Sequence, residues 1–148
     1  MAFLNSLDIS GSALTAERLR MDIISENIAN AETTRTAGGG PYKRKMVVFQ
    51  SADNNPTFKD TLQSELSGEN PSAKGVKVAG IVEDQTQSTP VYDPNNPDAD
   101  KNGYVQMPNV NMVKETVDMM AATRAYSANI TSLNAVKNMA SKALEIGK

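Results

Sequence analysis

The chain is predicted to be mainly α-helical: two long terminal helices pair as an antiparallel coiled coil around an inserted, small β-rich middle. Three observations predict this. Apolar residues recur at heptad spacing near both ends of the chain. All 7 prolines and 7 of the 9 glycines lie between residues 35 and 108, where turns and short strands belong. The run Met119 to Val136 carries one charged residue, Arg124, among Ala, Ser, Thr and Asn. A helix on the surface of a closed monomer shows a charged back, and this one does not. The expected divisions are an N-terminal coiled-coil helix over 1–34, a linker and β-rich region over 35–108, and a C-terminal coiled-coil helix over 109–148.

The first helix is expected over residues 1 to about 31. Leu7, Leu14, Met21 and Ile28 recur every seven positions, and Leu4 and Ile24 lie one turn from members of that row. The segment Thr33 to Pro41, with its β-branched threonines and three consecutive glycines, ends it. Lys43–Gln50 and Gly75–Glu83 are the strand candidates, and Asn102-Gly103 ahead of Tyr104 and Val105 signals a hairpin turn. Phe58, Leu62 and Leu66, spaced by four between Pro56 and Gly68, fit a short helix. The last helix begins after Pro108, with Asn109 or Asn111 as its cap. Its 4,3 row runs Met112, Thr116, Met119, Thr123, Tyr126, Ile130, Leu133, Lys137, Ala140, Leu144. The two helices would measure roughly 45 and 55 Å, long for a chain of 148 residues.

A second apolar row on the last helix, Val110, Val113, Val117 and Met120, lies about a quarter-turn from the first. The sticky surface is therefore wider than one partner helix covers. Ala121, Ala122, Ala125, Ala128 and Ser132 permit close approach on several sides. The terminal helices are thus expected to bury their remaining apolar faces only in a polymer and to order as it forms, because isolated helices are marginal in water. The competing reading is a two-helix hairpin packed on its own small sheet.

Composition excludes several classes. Hydrophobic residues make 39% of the chain, aromatic residues 5%, and there is no Trp, so the core is expected to be thin. Fifteen Lys and Arg against seventeen Asp and Glu give a net charge of −2, without the basic field that nucleic acid needs. With no His and no Cys, the usual general base, the commonest zinc ligand, thiolate chemistry and disulfides are absent. No catalytic residue, metal, cofactor or small-molecule substrate is expected, and nothing brings two Asp or Lys together as an enzyme would need. Charged residues from Asp8 to Glu26 interrupt the first thirty residues, so neither a cleavable signal nor a membrane span is expected there.

Local motifs have plain readings beside the chemical ones. Asp98-Ala99-Asp100-Lys101-Asn102-Gly103 imitates the first half of a calcium loop, but Asn109 stands where the closing Glu belongs, and an Asx-rich turn explains it better. Gly38-Gly39-Gly40 lacks the Gly-Lys-Ser/Thr of a phosphate loop and reads as a flexible hinge. Lys43-Arg44-Lys45 suits either intersubunit ion pairs or a solvated edge. Arg124, alone on its low-charge helix, is expected to be buried or at an interface, facing a carboxylate or carbonyl of a neighbour.

Specific residues resemble a family. Asn27-Ile28-Ala29-Asn30-Ala31-Glu32-Thr33, followed by Tyr42-Lys43-Arg44-Lys45 and Val47-Val48-Phe49, resemble the N-terminal signature of bacterial flagellar rod and hook proteins. Gly75-Val76-Lys77-Val78, Val91-Tyr92-Asp93-Pro94, Asn102-Gly103-Tyr104-Val105, Pro108-Asn109-Val110-Asn111 and Ala122-Thr123-Arg124-Ala125-Tyr126 resemble its proximal-rod members in order and spacing. The resemblance implies a structural subunit of the periplasmic rod, the drive shaft of the basal body, and no reaction. It implies self-assembly, contact with other proximal and distal rod proteins and with the basal-body adaptor at the motor ring, and export by the flagellar type III apparatus without a cleaved signal. Phe3-Leu4-Asn5-Ser6-Leu7 resembles the pattern by which related subunits engage the export gate, although Phe3 and Leu7 also suit a helix seam. The longer Thr34–Gly40 insert before Tyr42 is a length variant seen in that branch. A different class, a soluble helical adaptor docking one partner through its terminal helices, would instead be a stable monomer.

Overall fold

A computed structural model describes residues 2–52, 62 and 75–146. Helix α1 spans Ala2–Ala29; strands β1 (Lys45–Ser51), β2 (Val76–Glu83), β3 (Thr89–Tyr92) and β4 (Tyr104–Met107) follow; helix α2 spans Met112–Ile146. Two long terminal helices thus enclose a small antiparallel β region, built as two separate two-stranded sheets, β1–β2 and β3–β4. Of the expected short helix, Phe58 and Leu66 lie outside the described residues, and Leu62 is helical and half exposed.

Helix α1 packs along α2 and also touches β1 and β2. The helices run antiparallel, because Asn27 meets Glu115 whereas Met21, further back in α1, meets Thr123, further on in α2. Asn111 caps α2, its Oδ1 accepting from Lys114 N at 3.1 Å while its carbonyl accepts from Glu115 N. The other candidate cap, Asn109, is used elsewhere.

The inward rows differ from the expected stripe. On α2, Met119, Tyr126, Leu133 and Ala140 do face inward, half-buried. Their companion row is Glu115, Ala122, Asn129 and Val136, one residue away from the expected Thr116, Thr123, Ile130 and Lys137, which are exposed. Met112, Ile130 and Leu144 are 49%, 38% and 77% exposed. The physical reason is size: Ala122, at 0% exposure, lets the helix backbones approach where a larger side chain would hold them apart. On α1 the buried residues are Ser10, Ala16, Ile23, Ile24 and Asn27, with Leu7, Leu14, Met21 and Ile28 half-buried beside them.

In the β region, β1 pairs with β2 from Lys45↔Glu83 to Ser51↔Val76, with a bulge between Val48 and Phe49. The sheet begins on α1 at a close contact. Val76 N donates to Ser12 Oγ at 3.1 Å, and Ser12 Oγ donates to Ile9 O at 2.8 Å. Gly75 precedes this contact at φ +104°, where an added Cβ would collide with the Ser12 hydroxyl. Strand β3 lies outside the expected strands; its Pro90, which has no N–H to donate, stands opposite Gln106 on an edge strand, where it is tolerated. The Asn102-Gly103 turn is not a two-residue hairpin, since residues 93–103 connect the two strands. Gly103, at φ +77°, closes that connection, donating to Asp100 O and accepting from Asp93 N.

Candidate functional site

Two features stand out: a buried polar junction where the helices meet the β region, and the outward apolar surface of α2. The junction starts from Asn27 in the last turns of α1, 1% exposed. Its Nδ2 donates to Lys45 O at 2.9 Å and to Glu115 Oε2 at 3.0 Å. Its Oδ1 accepts from Tyr42 OH and from Lys45 N, each at 2.9 Å. Every donor and acceptor site of this side chain is therefore used. Glu115, at 0% exposure, completes its second oxygen by accepting from Arg44 Nε at 2.6 Å.

Arg44 gathers the remaining acids: Asp118 Oδ2 lies 3.5 Å from Nη2, and Asp84 Oδ2 lies 3.8 Å from Nη1. Its backbone N–H donates to Asn109 Oδ1, and Asn109 Nδ2 donates to the carbonyls of Asp84 and Thr86. Lys45 Nζ pairs with Glu26 and lies 5.6 Å from the centre of the Tyr42 ring. Its hydrogen bond to Glu26 raises the Lys45 pKa above the ordinary ammonium value. Burial, followed by the Glu26 charge, raises that of the Tyr42 hydroxyl. Asp84 is held below the usual carboxylate range, first by the Thr86 hydroxyl and backbone N–H and then by Arg44 and Lys114.

The stretch between α1 and β1 is folded back on itself. Thr36 N donates to Gly40 O, Gly39 N to Thr36 O, and Tyr42 N to Thr33 O. Gly39 and Gly40 take φ +78° and +82°, so the triple glycine makes a closed turn in place of the expected hinge. Asp98 secures this loop from the β3–β4 connection, accepting from Thr34 Oγ1 at 2.8 Å and pairing with Arg35 at 3.6 Å. The calcium-like run is thus a structural turn: Asn96 Oδ1 accepts from Asp98 N, and Asp100 Oδ1 from Lys101 N. Among the described residues, no cluster of three acidic side chains could hold a metal ion, and no helix is long and apolar enough to cross a membrane.

The signature residues are divided between the junction and its approach. Asn27, Tyr42, Arg44 and Lys45 converge; Asn30 and Thr33, half-buried, cap the end of α1 through Thr33 Oγ1 to Asn30 Oδ1 and Asn30 Nδ2 to Glu26 O. Ala29 and Lys43 are exposed. Sequence reasoning did not single out Glu115, Asp84 and Asn109 as partners. The available signal was a carboxylate, Glu115, one heptad before Ala122 on the low-charge helix. Arg124 is exposed on α2, and the side chains of Phe3 and Leu4 lie outside the described residues. Around α2, Val113, Val117 and Met120 form an outward row 74%, 54% and 49% exposed, with no covering element among the described residues.

A pair of terminal helices joined through a small β region by a polar junction, and greasy on the outside, defines an assembling structural subunit. Comparisons with known proteins agree. The model of the family described as "Flagella basal body rod protein" matches residues 7–35, and that described as "Flagellar basal body rod FlgEFG protein C-terminal" matches residues 101–146. A flagellar basal-body rod protein FlgC of Bacillus subtilis is 49% identical over 100% of both chains. Its counterpart in Borreliella burgdorferi is 45% identical over 99% of this chain and 98% of its own. That of Salmonella typhimurium is 45% identical over 100% of both. The chain belongs to the FlgC family of flagellar basal-body rod proteins. It is therefore a structural, non-enzymatic protein of the flagellar basal body that assembles with other rod components.

Proposed function

We propose that the chain is a subunit of the proximal rod in the periplasm, polymerising through its terminal helices into the shaft that carries torque from the motor to hook and filament. The observation that supports this most is the outward row Val113, Val117 and Met120 beside the inward rows of the same helix. One helix that is apolar on two sides needs a neighbour on each, and α1 supplies only one. Torque loads such a shaft in shear, which many modest contacts spread along nested helices resist better than one strong site. The seam proposed for that work comprises Leu4, Leu7, Leu14, Met21, Ile24 and Ile28 on α1 with Met119, Tyr126 and Leu133 on α2. Met112, Ile130 and Leu144, exposed in the subunit, are assigned to contacts between subunits, as is Arg124. Partners in this reading are further copies, the other proximal and distal rod proteins, the adaptor at the motor ring and the flagellar type III export apparatus.

Deleting the gene, scoring motility and imaging basal bodies tests the reading. Loss of swimming with basal bodies that stop before the rod is expected; intact rods contradict it. Export is tested separately by replacing Phe3 and Leu7 with polar residues. Secretion is expected to fall when it is measured apart from polymerisation, and unchanged secretion removes the gate contact.

A further inference from the structure

Glu115 is not explained by the helix seam. It is a carboxylate at 0% exposure at an inward position where α2 otherwise places Ala122, Asn129 and Val136. A buried ion pair contributes little net stability compared with apolar side chains of the same volume; its better-attested use is to specify which alignment forms. The rest of the α2 seam carries no other charge. It is two heptad rows, Met119, Tyr126, Leu133 and Ala140 beside Ala122, Asn129 and Val136, so sliding by one heptad sets one uncharged side chain in the place of another. Sliding α2 by one heptad brings Ala122 or Pro108 to the place of Glu115. The Arg44 guanidinium and the Asn27 amide then lose their acceptor inside the junction.

The same guanidinium also fixes the β region. Arg44 directly precedes β1, its backbone N–H is held by Asn109 at 2.9 Å, and its side chain reaches both Asp84, beyond β2, and Asp118, on α2. We propose that Asn27, Arg44 and Glu115 form a register lock, which admits one axial alignment of α1 against α2 and ties the β1–β2 sheet to that alignment. Every copy then presents its outward apolar row at one fixed height relative to its β region. The lock is made of contacts within one chain, so it acts in every copy whose terminal helices have formed.

Because the sequence has no Cys, introduced thiols report on the register without background. Three paired variants serve: Met21→Cys with Thr123→Cys in register, and Met21→Cys with Thr116→Cys or with Ile130→Cys one heptad to either side. The full chain is treated with a short bis-thiol reagent at a concentration at which circular dichroism shows the helices formed, and intrachain products are quantified by mass spectrometry. With the lock intact, the in-register product is expected at least about tenfold above either shifted product, the ratio of one dominant alignment. In Arg44→Leu/Glu115→Leu, which keeps the volume and removes the polar geometry, the shifted products rise to the level of the in-register one while helicity persists. Glu115→Gln keeps the shape with a weaker hold on Arg44 and is expected to release a smaller share, which serves as the reading if the double variant does not fold. A single in-register product in the variants overturns the lock, and so does a wild-type background that cross-links equally in all three pairs.

Discussion

Asn27 uses both amide hydrogens and both lone-pair directions of its oxygen in the junction, so no substitution keeps all four bonds. Asn27→Ala is expected to cost about 2–3 kcal/mol in chemical denaturation, since it leaves buried partners unpaired. Tyr42→Phe, which removes only the hydroxyl bond, is expected to cost about 1 kcal/mol. The junction also titrates. Lys45 and Tyr42 have folded pKa values above their ordinary 10.5 and 10.0, so their contribution is whole below about pH 10 and is lost as pH rises through the folded values. Asp84, depressed from its ordinary 3.8, contributes above that pH and ceases to as pH falls through its folded value. Stability measured against pH is therefore expected to decline at both extremes, and Tyr42→Phe is expected to soften the alkaline limb. Gly75→Ala is strained twice, by a positive φ and by the Ser12 hydroxyl, which cannot swing aside without releasing Val76 N and Ile9 O. It is expected to cost about 1–3 kcal/mol by thermal unfolding. A change within about 0.3 kcal/mol, inside the usual scatter of a surface substitution, would contradict the contact.

At the scale of elements, α2 has two apolar faces, one packed on α1 and one left exposed. Ala122→Leu places a large side chain at a position with no free space and is expected to destabilise the subunit by about 1–3 kcal/mol. Val117→Asp, on the outward row, is expected to abolish polymerisation, read by sedimentation, and to leave the circular dichroism of the dilute chain unchanged. The two long helices and strands β1 and β2 were legible in the sequence, because heptad spacing, proline placement, β-branched runs and capping Asn residues are local signals. The inward row of α2 was not: large apolar residues mark a stripe, but which of two neighbouring stripes faces α1 depends on where backbones approach closely. Ala122 decides that only in three dimensions. Strand β3, four residues long with a proline at its second position, carries little local signal, and the convergence of Asn27, Tyr42, Arg44 and Lys45 was visible only as a motif. Their partners Asp84, Asn109 and Glu115 are 40 to 71 residues away from Arg44, a separation that no local pattern reports.

At the scale of the whole molecule, the described residues leave much apolar surface open, Val113, Val117 and Met120 on α2 and Ile81 and Val82 on β2 among it. Few apolar residues are buried among those described: Ala16, Ile23, Ile24, Tyr42, Val105, Ala122 and Val136. This is the thin core that the scarcity of aromatic residues predicts. Long helices over so small a core are stabilised chiefly by what packs against them, so ordering of the ends and polymerisation should be one event. The most direct measurement is far-ultraviolet circular dichroism of the full chain from dilute monomer through polymer, with limited proteolysis at each concentration. The account predicts that the dilute chain lacks much of the helix and is cut within residues 2–29 and 112–146, and that helicity and protection rise together as it polymerises. A dilute monomer already fully helical, protease-resistant at both ends and unchanged on concentration would contradict it.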